Sequence, residues 1–105
     1  MATPPEAQAP WPSPEYCYDH FLLHHRDLKV RRVEDYDRSA RATIRVGHRF
    51  TYKDKTSGEP RIGYFDARRR RFTSLRGDGS RILTHFRPAR RNYPRTLPES
   101  DYSRS

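Results

Sequence analysis

The chain predicts an α+β fold: two N-terminal helices packed on a four-stranded antiparallel β-meander. Three observations carry this. Apolar residues recur at helical spacing over the first half. From Arg49 onward they alternate at period two, and turn signals divide that alternating half into four short runs. The 105 residues suffice for one domain. Apolar content is 32%, below the usual ~45–50%, so the core is expected to be small. The 12% aromatic content argues against a disordered chain.

Residues 1–12 are rich in Pro and Ala without periodicity and read as a flexible lead-in. Ser13-Pro14 is a helix start, a capping hydroxyl followed by Pro at the first helical position. In the helix expected over Glu15 to Leu28, Cys17, Phe21, His24 and Leu28 share one stripe. Lys29 to Arg32 is a basic connector. A second helix is expected from Val33 to about Arg45, with Val33, Tyr36, Ala40 and Ile44 on one face and Gly47 as its stop. The segment Thr43–Val46 could equally begin a strand.

Four strands follow, over Arg49–Tyr52, Arg61–Asp66, Arg71–Leu75 and Arg81–Arg87. Ser57-Gly58, Ala67–Arg70 and Arg76-Gly77-Asp78-Gly79 are the turns. Alternation groups Phe50, Tyr52, Ile62, Tyr64, Phe72, Ile82 and Phe86 on a buried face. Arg49, Thr51, Thr73, His85 and Arg87 fall on a wet one. The single domain spans residues 13–88, and residues 89–105 form a mostly irregular tail whose first half Tyr93 and Leu97 could hold.

Net charge is +9, and Arg dominates the 22 cations, with only Lys29, Lys53 and Lys55 as lysines. Guanidinium matches phosphate geometry and stacks on bases, so RNA is the expected partner and DNA a second candidate. The lone Cys17 excludes an internal disulfide and reads as a small buried hydrophobe. No apolar run approaches membrane-spanning length and no secretory signal is visible, so no membrane partner and a cytoplasmic setting are expected, including that of a target cell.

Candidate chemistry rests on His, Thr and Arg. RNA can be cleaved by its own 2′-OH when one group takes the 2′ proton, another protonates the 5′ oxygen, and donors hold the phosphate. His20 and His24 share a helix face and suit the proton transfer. Thr84 and His85 alternate on the last strand, so they cannot share a flat face. That places the site at the rim where the first helix meets the last strand. Thr84, Arg49, Arg87 and Arg71 are the phosphate contacts, and His85 is a second proton-transfer candidate. Two histidines without further ligands do not propose a metal site, and no cofactor is expected.

The pattern Trp11…Asp19-His20-Phe21…His24, Glu34-Asp35-Tyr36…Ala40, Gly63-Tyr64-Phe65-Asp66…Arg71-Phe72…Asp78-Gly79…Ile82…Thr84-His85-Phe86-Arg87-Pro88 resembles a family of small toxin-like nuclease domains. These occur in contact-dependent and other polymorphic bacterial toxins and share the barnase/colicin/RelE-like ribonuclease fold. The resemblance spans about Trp11 to Pro88. It implies metal-independent cleavage of tRNA or another structured RNA, with a helix histidine at His20 or His24 and the strand threonine at Thr84. It also implies an acidic immunity or antitoxin protein as a second partner. Two other readings stand beside it: a noncatalytic basic RNA- or DNA-binding protein, and a basic adaptor for an acidic protein.

Overall fold

The computed structural model describes residues 3–102. Helix α1 (Pro14–Leu28) starts where the Ser13 hydroxyl accepts a hydrogen bond from the Tyr16 amide at 3.0 Å. It ends at Lys29, whose left-handed backbone (φ 58°) turns the chain. Helix α2 (Val33–Val46) carries Glu34 and Asp35 in its first turn and Arg45 in its last, the arrangement its dipole favours. The Thr43–Val46 segment is therefore helical. Strands β1 (His48–Lys53), β2 (Pro60–Asp66), β3 (Arg71–Arg76) and β4 (Ile82–Phe86) form an antiparallel sheet in chain order. The architecture is α+β, with both main helices N-terminal to the strands.

The register overturns the expected division into one buried and one wet face. Arg49 pairs with Tyr64, and Thr51 with Ile62; Phe50 lies opposite Gly63. Phe50 and Tyr52 therefore point away from Ile62 and Tyr64. The helix-facing side carries Ile62, Tyr64, Leu75 and Ile82 against Phe21, Leu28, Tyr36, Ala40 and Ile44. The opposite side carries Phe50, Tyr52, Phe65 and Phe72, covered by Leu97 with Tyr93 and Tyr102. Alternation fixes which residues of one strand share a face, but loop geometry fixes the phase between strands. A further break in phase lies in β4. Ser74 pairs with Thr84 and Leu75 with Ile82, leaving Leu83 as an extra residue.

Gly63 permits this second core. A Cβ there would come within 2.5 Å of the Phe50 ring and 2.9 Å of the Phe72 ring. The two rings therefore close over a position that only glycine leaves open. The turn between β2 and β3 lacks glycine and uses Arg70 in the left-handed region (φ 55°). The buried Asp66 carboxylate supports it by accepting from the Arg68 and Arg69 amides at 3.1 and 3.3 Å.

The lead-in is not a flexible appendage over its described residues. Pro5–Gln8 forms a short 3-10 turn, and Ala7, Ala9 and Trp11 are buried with the helix core. The Arg41 guanidinium, held by Asp37, donates to the carbonyls of Ala7 (2.8 Å) and Ala9 (2.7 Å). Trp11 stacks on Tyr36 and donates its indole N–H to Asp37 at 2.7 Å. A Pro/Ala composition hides this because the ordering groups, Asp37 and Arg41, sit in α2. Met1 and Ala2 lie outside the described residues, as do residues 103–105 of the expected tail.

Both sheet edges are occupied. At β1, the Lys53 amide donates to the Pro98 carbonyl and the Asp101 amide to the Thr51 carbonyl. The Thr51 amide in turn donates to the Asp101 carboxylate at 2.7 Å. At β4, the Ile82 amide donates to the Pro10 carbonyl, and the Tyr16 hydroxyl donates to the Leu83 carbonyl at 2.8 Å.

Trp11→Ala should lower the unfolding free energy by ~3–5 kcal/mol in urea melts, the range for losing a buried aromatic. A change within ~0.5 kcal/mol, as at an ordinary surface position, would mean that the lead-in does not contribute to the core.

Candidate functional site

Helix α1 runs beside β4 and turns a second face toward it, distinct from the apolar stripe of Cys17, Phe21 and Leu28. Tyr16, His20 and His24 recur at four-residue spacing, so they stack along the helix. Tyr16 and His20 rings lie 4.5 Å apart and nearly parallel; His20 and His24 centroids are 6.0 Å apart. Each meets one station of the strand. Tyr16 bonds the Leu83 carbonyl, His20 Nδ1 lies 3.2 Å from Thr84 Oγ1, and the His24 ring sits 5.3 Å from Phe86. The sequence-predicted rim thus brings His20 and Thr84 into contact, with His24 one turn further along.

Thr84 reaches this seam because of the bulge at Leu83. It shares its face with Ser74 and not with Ile82. Ser74 Oγ is 2.6 Å from the Tyr52 hydroxyl, and Tyr52 pairs with Arg61. A row of hydroxyls therefore leads from the seam across the sheet to a cation. Both imidazoles are half-buried and held below the usual value of 6.5, by burial first. For His20 the neighbouring His24 adds to this and Asp19 opposes it; for His24, Asp27 opposes it. Both are thus neutral near pH 7. His20 Nε2 has no hydrogen-bond partner among the described residues. Accepting a proton there is open to it when Nδ1–H donates to Thr84.

His85 is removed from the proton-transfer role. It is fully buried, facing α2, and both ring nitrogens are engaged. Nδ1 lies 3.0 Å from the Phe72 carbonyl, which can only accept, so Nδ1 carries the proton. Thr73 Oγ1, 2.9 Å from the same nitrogen, passes its own hydrogen to the Ala40 carbonyl. Nε2 then accepts from Ser39 Oγ at 2.8 Å, and Ser39 accepts from Arg71 at 3.0 Å. Burial, with the Arg71 cation and, in the acidic range where it is protonated, His24 adding to it, holds His85 down at about 3, against the opposing carbonyl bond. Its expected place on a wet face failed because the sheet has none there.

The predicted phosphate contacts separate. Arg49 stands on β1, at the sheet edge opposite β4, and its guanidinium lies 3.9 Å from Glu6. Three strand spacings, ~14 Å, part it from the seam. Arg71 and Arg87 instead gather at the His24 end of the seam, lining a cleft of about 490 Å³ with Lys29, Arg68 and Arg69. Arg61 and Arg76 stand at the other end, close enough to Tyr16 to oppose the upward push of burial on its hydroxyl. Sequence reading passed over Tyr16, Arg61 and Arg76. The Tyr16-His20-His24 spacing was a visible signal for the first; the arginines became visible only with the register.

A larger groove of about 930 Å³ lies behind α1, with Trp11, Cys17 and Val33 in its wall and Glu15, Asp19 and Glu34 at its rim. With Asp37 these carboxylates outnumber the Arg38 and Arg41 guanidiniums of the same lining, so its size does not make it the candidate site for a phosphodiester. Among the described residues no group of three or more His, Cys, Asp or Glu is placed to hold a metal ion, and no helix is long and apolar enough to cross a membrane.

The buried imidazole makes a pH prediction. Well above pH 6.5 residue 85 is neutral in folded and unfolded chains alike. As pH falls from 6.5 toward 3, the unfolded chain binds a proton that the folded chain refuses. Its contribution to stability is therefore lost on acidification, by up to about 1.4 kcal/mol per pH unit. His20 and His24, also depressed, act in the same direction. Urea melts between about pH 7.5 and 5 should show this decline. His85→Gln, which can still donate and accept, should reduce the slope by close to one proton. An identical slope in the variant would show that His85 titrates normally.

No protein-family model and no curated protein matches the chain.

Proposed function

We propose that the protein is a metal-independent endoribonuclease of bacterial toxin type, acting on tRNA or another structured RNA at the α1–β4 seam. The observation that supports this most is the His20 Nδ1–Thr84 Oγ1 contact of 3.2 Å, with His24 beside it. Helix imidazole, strand hydroxyl and flanking arginines are the groups that phosphodiester cleavage by an internal 2′-OH requires.

In this reading neutral His20 takes the 2′ proton at Nε2. The 2′ oxygen forms its bond to phosphorus as the bond from phosphorus to the 5′ oxygen breaks. Thr84 donates to a non-bridging oxygen, with Arg61 and Arg76 as the nearest cations to the Tyr16 end. His24 returns a proton to the departing 5′ oxygen. A bound phosphate raises the pKa of an adjacent imidazole, which brings His24 toward the protonated form this step needs. The products are a 2′,3′-cyclic phosphate and a 5′-hydroxyl.

The +9 charge also supports a second reading, a noncatalytic RNA-binding protein. Incubating the purified chain with total RNA, with and without EDTA, separates the two. Chelator-resistant cleavage is expected. His20→Ala should lower its rate by ~10²–10⁴ while RNA binding is retained. The rate at low substrate should fall on acidification through the depressed His20 pKa, because protonation removes the base. Intact RNA after incubation, or wild-type cleavage by both His20→Ala and His24→Ala, would overturn the mechanism.

A further inference from the structure

The cleft at the C-terminal end of α1 has a composition that the seam chemistry does not require. Five cations, Lys29, Arg68, Arg69, Arg71 and Arg87, line it against the single carboxylate of Asp27. Arg69 lies 3.5 Å from Asp66, which lies outside the cleft lining. Lys29, Arg68, Arg71 and Arg87 have no carboxylate within 4.0 Å among the described residues. Arg71 is half-buried, and its pKa is lowered by burial and by Arg69 and Arg87, with Asp66 opposing. Like charges held together with fewer carboxylates than cations raise the free energy of the empty cleft, and an entering anion relieves it.

The cleft lies one helical turn beyond the His24 end of the seam, where Leu28 lines it. Arg87 directly follows Phe86, the last residue of β4, whose ring sits 5.3 Å from His24. On α1, His24 and Leu28 are one turn, ~6 Å, apart. His85, between the two sites, feels both His24 and Arg71. Guanidinium groups from the β2–β3 turn, from β3 and from the residue after β4, with an ammonium from the α1–α2 connector, line one space. That is the donor set for non-bridging phosphate oxygens.

We infer that this cleft is a phosphate subsite which holds a neighbouring phosphate of the same RNA strand, so that the substrate lies along the α1–β4 seam. The inference rests on the RNA reading above and extends it to substrate extent. A strand reaching both sites is held better than one occupying the seam alone.

The test uses the full chain and a fluorescent single-stranded oligonucleotide with 2′-O-methyl riboses, which cannot be cleaved by 2′-OH attack. Affinity is read by anisotropy across a salt series. Arg87→Ala and Lys29→Ala should each weaken binding by about threefold to tenfold and reduce the log–log salt slope by about 1. Arg38→Ala on the outer face of α2 makes the same charge change away from the cleft, and should leave the slope unchanged. Equal effects of all three variants would mean diffuse electrostatic attraction and overturn the subsite. So would unchanged affinity in both cleft variants, even if the wild type cleaves RNA. A wild type that cleaves nothing but keeps the Arg87 and Lys29 slope difference retains the subsite and loses only the nuclease reading.

Discussion

The position of β4 relative to the helices depends on one buried imidazole. His85 joins Ser39 of α2, the Phe72 carbonyl and Thr73 hydroxyl of β3, and through Ser39 the Arg71 guanidinium. Its own carbonyl accepts from Tyr36 at 2.6 Å. Each bond contributes only ~0.5–1.5 kcal/mol net, but an unpaired buried ring nitrogen costs more than its bond contributes. The network therefore acts as a register pin. With His85 fixed toward α2, alternation sends Thr84 and Phe86 to the other face and Arg87 back toward the connector. The seam and the cleft are both consequences of that one side chain.

Much of the architecture was legible because it is local. Ser13-Pro14, the 3.6-residue stripes and Gly79 each act within a few residues, and the elements they predicted are present within one or two positions. What the sequence hid was relational. Nothing within the strand Arg49–Tyr52 says that Thr51, and not Tyr52, lies opposite Ile62. Nothing in Leu83 announces a bulge. Arg49 was grouped with Arg87 by alternation alone, yet they stand on opposite edges of the sheet. The seam is legible in part, because Thr84 and His85 cannot share a flat face, which points to the rim where Thr84 meets His20 and His24. His85 was misassigned for the reason that makes it structurally important: a buried histidine satisfied by Ser, Thr and a carbonyl has the same letters around it as an exposed one.

The distribution of charge follows from the fold as much as from composition. The cations Arg61 and Arg76 stand at one end of the histidine row, and Arg71 and Arg87 at the other. The carboxylates of Asp35 and Asp37 are occupied by Arg38 and Arg41 on α2. Glu15, Asp19 and Glu34 face the groove behind α1, Glu59 pairs with Arg61 and Asp66 with Arg69. Near β4 the arginines outnumber the carboxylates, and the planar guanidinium keeps its charge at any physiological pH.

The closed edges of the sheet constrain how another molecule can meet this protein. Pro10 and Tyr16 occupy the outer backbone groups of Ile82 and Leu83, and Pro98 and Asp101 those of Thr51 and Lys53. Strand addition, in which a guest peptide extends a sheet through main-chain hydrogen bonds, has no vacant ladder at these positions. Recognition there must pass through side chains, and so through their charge and shape. A guest that binds by backbone pairing would first have to peel away the N-terminal turn or the C-terminal segment, losing the cores that Trp11 and Leu97 complete.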